Sequence, residues 1–410
     1  MSSHPSNLRW LMVSLVFLAT AINYLDRQTL SVVAPVLIDH FHMSNQEYSR
    51  VIFAFMLAYT IMNAVSGPLI DRLGTRLGYA LTAAWWSGAA MLHALARGPW
   101  TLGLYRFLLG MGEAGNWPAG VKVVAEWFPA NERALASGIF NSGSAAGAIV
   151  APPIIVWIVL KAGWRAAFFA IGAVGLIWVL GWLIIYDHPK DAVREERAVD
   201  ISLWRLFRTR FVWSLTLAKF FLDPVWYFYI FWFPEYLKRA RHFDLLAIGK
   251  YAWVPFMVAG LGNLLGGWFA HTLLRRDIPL TVARKSALAL CTLLMVSAIP
   301  AVLTSSASIS IAWVSLAMLG YTGAVANMLA FPADVFPRNV VASIWGLASV
   351  GSGIGGMVFA LATGWVVDHY SYMPAFLGFG LMPLIALGIV WFILGPLTPW
   401  RKLDEIGGTL

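Results

Sequence analysis

Residues 126–131 read Glu-Trp-Phe-Pro-Ala-Asn, and residues 334–339, 208 positions later, read Asp-Val-Phe-Pro-Arg-Asn. A single displacement that aligns many positions indicates two parallel repeats of one structural unit. We therefore predict a fold made of two related halves. The same displacement aligns Ala134 with Ala342, Gly138 with Gly346, Gly143-Ser144 with Gly351-Ser352, and Ala167-Phe168 with Ala375-Phe376.

The composition indicates that both repeats lie in a membrane. The chain has 410 residues, of which 60% are hydrophobic and only 12% are charged, and its mean hydropathy is +0.71. Soluble domains average about 25% charged residues, so this chain has too little charge to cover a soluble surface. The net charge of +9 is spread over many short segments, which argues against a nucleic-acid surface. The single cysteine, Cys291, excludes an intramolecular disulfide.

Apolar runs long enough to cross a bilayer, about 20 residues each, divide the chain into twelve predicted helices. We predict an all-α integral membrane fold with an N-terminal six-helix half at 1–186, a cytoplasmic linker at 187–205 and a C-terminal six-helix half at 206–410. The first span lacks a cleavage site and is expected to be retained. The predicted spans are 8–37, 48–70, 77–96, 100–127, 132–160, 163–186, 206–236, 246–271, 280–303, 307–333, 340–367 and 371–395.

The basic residues predict the orientation of these spans. If the N-terminus lies in the cytoplasm, 17 lysines and arginines fall on the cytoplasmic side and eight on the outer side. The remaining four, Arg27, Arg106, Lys122 and Lys219, lie inside spans. Because cytoplasmic loops carry an excess of basic residues, we expect both termini in the cytoplasm.

A motif between spans 2 and 3 resembles a known signature. Residues 67–76 read Gly-Pro-Leu-Ile-Asp-Arg-Leu-Gly-Thr-Arg, which resembles the G-x-L-x-D-R-x-G-x-R loop of the major facilitator superfamily. A glycine turn here presents charged side chains at two helix ends, where ion pairs and helix dipoles stabilise one conformation. The matching loop of the second half has His271 where an acidic residue is expected. The residues assigned to this conformational motif are Gly67, Asp71, Arg72, Gly74 and Arg76.

Longer motifs narrow the resemblance. Residues 23–27 read Asn-Tyr-Leu-Asp-Arg, and residues 106–116 read Arg-Phe-Leu-Leu-Gly-Met-Gly-Glu-Ala-Gly-Asn. Both resemble the anion:cation symporter family within the superfamily, and the stretches at 124–143 and 219–229 are similar to bacterial hexuronate transporters. The resemblance covers essentially all twelve spans. It implies an alternating-access importer that couples protons to a hexuronate or related sugar acid in the bacterial inner membrane.

Four charged residues inside spans 1 and 4 are the main candidates for the site. Placing a charge at bilayer depth costs about 2.5–3.5 kcal/mol on insertion scales. We therefore expect a compensating interaction or a function for each of these residues. Arg27 and Arg106 offer forked donors for a substrate carboxylate. The resemblance implies proton coupling at Asp26 and Glu113, since burial favours a neutral carboxyl and a nearby arginine opposes this. The alternative is that the four residues form two structural ion pairs.

Further polar residues inside the spans are candidates for substrate contact. Tyrosine hydroxyls and amides suit sugar hydroxyls, although amides inside apolar helices equally form interhelical bonds. In span 7, Lys219 and Asp223 are four residues apart and are expected to pair, either next to the substrate or as a structural pair. Small residues around Gly143-Ser144 replace a glutamine that some sugar-acid relatives carry. These candidates are Tyr24, Tyr59, Asn116, Asn141, Lys219, Asp223, Tyr227 and Asn327.

The remaining patterns exclude other classes of protein. The glycine-rich run at 351–356 lacks the strand that a nucleotide loop requires, and no His/Cys cluster or nucleophile–base pattern is present. We therefore expect neither a metal nor a cofactor, no enzymatic activity, and a monomer whose partners are an organic anion, protons and the bilayer. Two alternatives stay open: transport of another organic anion, such as an aldonate or aromatic acid, and drug/proton antiport. Gly138, Gly147, Ala151 and Pro152 satisfy only part of the antiporter signature in span 5.

Overall fold

The structure is a computed structural model that describes residues 6–128, 132–187, 206, 209–336 and 338–398. Within these ranges the chain is helical and contains no β-strand. The predicted linker at 187–205 lies outside the described residues except for Asp187.

Seven helices form the first half of the described chain. Helix α2 begins with a capping box, in which the Ser44 side chain accepts a bond from the Glu47 backbone and the Glu47 side chain accepts one from the Ser44 backbone. Gly74, with φ 78°, separates α2 from α3, as the glycine turn in the sequence predicts. These helices are α1 (Ser6–Phe41), α2 (Asn45–Leu73), α3 (Thr75–Leu92), α4 (Pro99–Glu113), α5 (Asn116–Trp127), α6 (Arg133–Ala162) and α7 (Trp164–Ile185).

Eight further α-helices follow. The side chains of Asp244, Ser306 and Ser371 cap the first turns of three of them and satisfy backbone N–H groups there. The helices are α8 (Arg210–Arg241), α9 (Leu245–Tyr251), α10 (Val254–Leu274), α11 (Leu280–Met295), α12 (Ala298–Leu303), α13 (Ala307–Val335), α14 (Arg338–His369) and α15 (Tyr372–Gly388).

These helices make the twelve predicted membrane crossings. Among the described residues, eight segments are long and apolar enough to cross a bilayer by length and composition alone, and two of them are the joined pairs α9–α10 and α11–α12. Of the other predicted spans, α2 meets the same criteria only as a pair of segments bent by 53°, and α3, the pair α4–α5 and α8 do not meet them. The all-α, twelve-span fold predicted from the sequence is therefore confirmed.

Glycines of the internal repeat pack equivalent helices in the same way. On α6, Gly143 and Gly147 lie against the backbone carbonyls of Phe17 and Ala21 on α1. On α14, Gly351 and Gly355 lie against those of Thr216 and Phe220 on α8. A Cβ atom at any of these four glycines would collide with the neighbouring backbone, so close helix packing explains the glycine-rich runs.

The contacts divide the described chain into two compact units. The first contains α1–α7 together with Ile230–Trp253 and Thr363–Asp368, and the second contains 209–229, Val254–Ala362 and 369–398. Helix α8 is thus shared: its first part belongs to the second unit and its last part to the first. The domain boundaries at 186 and 206 stay a prediction.

Candidate functional site

A buried ion pair joins α1 to α4 in the first unit. Arg27 donates from Nε (3.0 Å) and from Nη2 (2.8 Å) to the same oxygen, Oε2, of Glu113. Arg27 is 4% exposed and Glu113 is fully buried. Gly110 allows α4 to pack closely on α2 next to the pair, since a Cβ there would stand 2.6 Å from the Phe55 carbonyl. The two partners are 86 positions apart in the chain, which explains why the sequence left this pairing open.

Arg106 supports the pair from the same face of α4. Its Nη2 donates to the backbone carbonyl of Arg27 at 2.9 Å, and its guanidinium lies 4.7 Å from the centre of the Phe55 ring. The Nε and Nη1 atoms of this fully buried side chain have no hydrogen-bond partner within the described residues. Unsatisfied donors on a buried cation are costly, so Arg106 has capacity for a further acceptor.

Asp26 lies beside this pair without a hydrogen bond. Both of its carboxylate oxygens are buried and lack a partner among the described residues, and so does Oε1 of Glu113. The charges that act most strongly on Asp26 are those of Glu113 and Arg106. Removing an ionised carboxylate from water costs several kcal/mol unless it is paired, whereas a protonated carboxyl is neutral. Asp26 is therefore buried next to the charges of Glu113 and Arg106, with both of its oxygens available to a further partner.

Aromatic rings surround the Arg27 guanidinium. Its carbon lies 5.1 Å from the ring centre of Tyr24, 5.1 Å from that of Phe55 and 4.8 Å from that of Tyr59. Such rings attract a cation through their negative faces. Tyr24 and Tyr59, both predicted from the sequence, are half-buried here, so the two rings and the arginine form one cluster. Phe55 was missed, because a phenylalanine in an apolar helix gives no signal of its own.

The predicted asparagines have different environments. Asn116 accepts a bond from the Tyr79 hydroxyl at 2.7 Å and donates to Thr20 at 3.2 Å, which ties α5 to α3 and α1. Asn327 donates to the carbonyls of Gly266 and Gly323 at 3.0 and 2.9 Å. Both amides therefore form interhelical hydrogen bonds, which is one of the two roles considered for them from the sequence. Asn141 is exposed.

The second unit contains another buried pair on α8. Lys219 and Asp223, 5% and 4% exposed, are 2.8 Å apart, as their spacing predicts. The Tyr321 hydroxyl donates to Asp223 at 3.2 Å, and the Lys219 ammonium lies 4.2 Å from the centre of the Trp345 ring. Neither aromatic residue was predicted, because nothing in the sequence indicates which helices approach α8.

Tyr227, one turn after Asp223, is half-buried. Its hydroxyl lies 3.2 Å from the Ser352 hydroxyl of α14. Tyr227 is thus positioned by a helix of the same unit.

A double-substitution cycle distinguishes the two readings of the α8 pair. We expect Lys219→Gln and Asp223→Asn each to impair folding and uptake, since one charge of a broken buried pair costs about 3–5 kcal/mol. We expect the double variant to recover both, because Lys219 is already occupied by Asp223 and Trp345. Thermal unfolding in detergent and uptake into proteoliposomes are the two measurements. A double variant that is stable but inactive would instead assign Lys219 to the substrate.

The loop motif joins α2 and α3 to helices of the same unit. Asp71 pairs with Lys122 of α5 at 2.7 Å, and Arg76 donates to the Leu183 carbonyl of α7. Gly74 provides the turn, while Arg72 is exposed. The motif residues thus fix the ends of α2 and α3 on two neighbouring helices.

The same end of the bundle contains a second polar cluster. Glu126 of α5 accepts bonds from the hydroxyls of Thr75 and Tyr186, each at 2.6 Å. Tyr186 lies just beyond the end of α7, so its bond to Glu126 ties this end of α7 to α5.

No group of three or more His, Cys, Asp or Glu side chains that could hold a metal ion occurs in the ranges that the structure describes.

Comparisons with known proteins agree with this architecture. The family model of the Major Facilitator Superfamily matches residues 16–284. The chain is 34% identical to a hexuronate transporter of Escherichia coli K12 over 94% of both chains. It is 38% identical to a galacturonate transporter of Dickeya chrysanthemi, over 70% of this chain and 89% of the relative.

A solved structure supports the fold independently. The crystal structure of a bacterial homologue of the human lysosomal transporter Spinster is similar with a TM-score of 0.73 over 96% of both chains, at 19% identity. At that identity the likeness concerns the fold alone.

Proposed function

The chain belongs to the major facilitator superfamily, and on that premise we propose that it imports a hexuronate together with protons across the bacterial inner membrane. It is a multi-pass membrane transporter of sugar acids and not an enzyme. Four features of this function are proposals: the coupling to protons, the direction of transport, the assignment to the inner membrane and the position of both termini in the cytoplasm.

The observation that carries the proposal is the buried cluster of α1 and α4. Arg27 is held by Glu113 and by the rings of Tyr24 and Tyr59, while Asp26 and Arg106 beside it retain unsatisfied polar atoms. Guanidiniums bind a carboxylate in a forked geometry, and the tyrosine hydroxyls suit the hydroxyl groups of a sugar. The named function of the relatives matches this chemistry.

The ion pair suggests how substrate and proton are coupled. When a substrate carboxylate binds Arg27, it competes with Glu113 for the same donors, and Glu113 loses the charge that stabilises its ionised form. A buried carboxylate without a counter-charge takes up a proton. Proton release toward the more alkaline cytoplasm would restore the pair and displace the substrate. Asp26 provides a second proton-binding group beside it.

Uptake into proteoliposomes tests the proposal. We expect labelled galacturonate and glucuronate to accumulate when an inward proton gradient is imposed, and to equilibrate without accumulation when an ionophore dissipates it. Accumulation of an aldonate but of neither hexuronate would move the substrate to the alternative class. Accumulation that ignores the proton gradient would contradict the symport.

An ion cluster at the end where α1 finishes suggests an outer gate. Lys238 and Arg239, near the end of α8, both donate to Asp39 near the end of α1. Arg239 also pairs with Glu235 at 2.8 Å. Nearby, Asp368 accepts bonds from the backbone N–H groups of Asn45 and Gln46 at the start of α2, at 2.9 and 2.7 Å.

Buried contacts lie below this cluster. The Tyr48 hydroxyl donates to the Phe231 carbonyl at 2.8 Å, and the Ser31 hydroxyl donates to the Ile230 carbonyl. Alternating access would require these contacts of α8 to separate when the site opens outward.

Removing Asp39 is expected to favour that opening. Partly exposed ion pairs contribute up to about 1 kcal/mol each, so Asp39→Asn should raise the population of the opened state about fivefold. A Ser31→Cys reporter in a Cys291→Ala background measures it as the rate of labelling by a membrane-impermeant maleimide. Ser31 is fully buried, and Arg50→Gln, at an exposed position of α2 at the same end of the bundle, is the control. Equal rates with and without Asp39 would rule out a gating role for the cluster.

A further inference from the structure

A cavity in the first unit lies outside the site described above. Its volume is about 550 Å³, and its polar lining consists of Arg97, Thr101, Tyr105 and Arg165. It lies between the C-terminal end of α3, the segment that connects α3 to α4, and the N-terminal end of α7. None of its lining residues belongs to the charged cluster of α1 and α4.

The two arginines of this cavity are chemically unusual for their position. Both are exposed, and neither forms an ion pair with an acidic residue in the part of the chain that the structure describes. The Arg165 guanidinium lies 4.3 Å from the centre of the Trp164 ring. The orientation proposed above places both on the outer side, where basic residues are disfavoured. By contrast, Lys238 and Arg239 at the same end have Asp39 as a partner.

Apolar side chains border the cavity. Leu95 lines it, and the neighbouring Trp100 is 92% exposed at the first turn of α4. Leu104 and Phe169, one turn further along α4 and α7, are also exposed. A tryptophan beside apolar residues at a helix end is typical of the level of lipid headgroups. Within one helical turn, the surface thus changes from two cationic side chains to apolar side chains that suit lipid acyl chains.

We propose that this cavity binds the headgroup of an anionic phospholipid, with its phosphodiester between Arg97 and Arg165. Guanidiniums match phosphate oxygens in a forked geometry, and the positive ends of the α4 and α7 dipoles add to the attraction. The Tyr105 hydroxyl is available to the glycerol part, and the acyl chains follow Leu104 and Phe169. A free sugar acid also carries a negative charge, but it has no acyl chain that could contact these apolar residues.

Native mass spectrometry of the purified full chain in a neutral maltoside detergent tests the proposal. Phosphatidylglycerol and phosphatidylethanolamine are titrated separately, and the retained lipid is counted. We expect the unsubstituted chain to prefer phosphatidylglycerol. Arg97→Gln and Arg165→Gln should each weaken that binding about fivefold, and the double variant about 30-fold, as expected for basic residues that attract anionic lipid.

The matched control is Arg50→Gln, an exposed arginine at the same end of the bundle that does not line the cavity. It should bind phosphatidylglycerol like the unsubstituted chain. Protection against thermal unfolding by phosphatidylglycerol, measured on the unsubstituted chain, gives a readout that needs no variant. Equal binding of both lipids, or unchanged binding after both substitutions, would overturn the proposal. So would arginine-dependent binding of galacturonate in place of lipid. Because no step measures transport, failure here would leave the proposed function untouched.

Discussion

Asp26→Asn is expected to abolish gradient-driven accumulation of galacturonate while leaving the protein folded. The asparagine occupies the same volume but exchanges no proton, so the gradient can no longer do work on the substrate. The ratio of inside to outside substrate should then fall to about 1, because coupling exists only where one ligand changes the binding of the other. Asp26 makes no hydrogen bond with any residue that the structure describes, so its replacement breaks none of these contacts.

Glu113→Gln should produce the same loss of accumulation with an additional loss of stability. Removing its charge leaves Arg27 buried without a counter-charge, and breaking a buried pair in this way costs about 3–5 kcal/mol. Thermal unfolding in detergent should therefore distinguish the two substitutions, and counterflow exchange should persist in Asp26→Asn. Glu47→Gln, at a half-buried acidic residue whose capping bond from the Ser44 backbone a glutamine oxygen can also accept, is the control. Normal accumulation by both variants would show that neither carboxyl couples the proton.

Arg27→Lys is expected to weaken galacturonate binding although the charge is retained. In the structure the guanidinium uses two nitrogens for Glu113 while three rings fix its plane. An ammonium is a point charge that cannot offer a substrate carboxylate the forked geometry with which the guanidinium now holds Glu113. Hydrogen bonds to charged groups contribute about 1.5–3 kcal/mol, so the Kd should rise roughly 10- to 100-fold.

Titration calorimetry of the purified chain with galacturonate provides the measurement for Arg27→Lys. Arg50→Lys, at an exposed position of α2, should leave the Kd unchanged and controls for a general effect of the substitution. An unchanged Kd in Arg27→Lys would remove Arg27 from the substrate site. The carboxylate would then have to bind elsewhere, with the unsatisfied nitrogens of Arg106 as the next candidate.

Agreement between sequence and structure is best for properties that lie along the chain. Hydropathy predicts the spans, eight of which are long and apolar enough to cross a bilayer among the described residues, and Gly74 ends α2 where the loop motif predicts a turn. The pairing of Lys219 with Asp223 follows from the helical repeat alone, because residues four apart lie on one face. None of these predictions required knowledge of how one helix packs on another.

The sequence did not predict which residues on different helices contact each other. The sequence placed Asp26, Arg27, Arg106 and Glu113 inside spans, yet only the structure pairs Arg27 with Glu113 and leaves Asp26 without a bond. For the asparagines, the sequence also did not distinguish substrate contact from interhelical hydrogen bonding. Asn116 and Asn327 bond to neighbouring helices, whereas Asn141 is exposed.

The sequence by itself determined the membrane class, the twelve helices, the repeat and the set of residues that carry charge into the bilayer. Each of these depends on the order of residue types, since hydropathy and helical periodicity act over one or two turns. The tertiary structure decided which of those charges meet, which rings surround Arg27, and where the unpaired cations Arg97 and Arg165 share a cavity. Those contacts depend on how each helix is rotated and how closely glycines allow it to approach its neighbours, which is a property of packing in three dimensions.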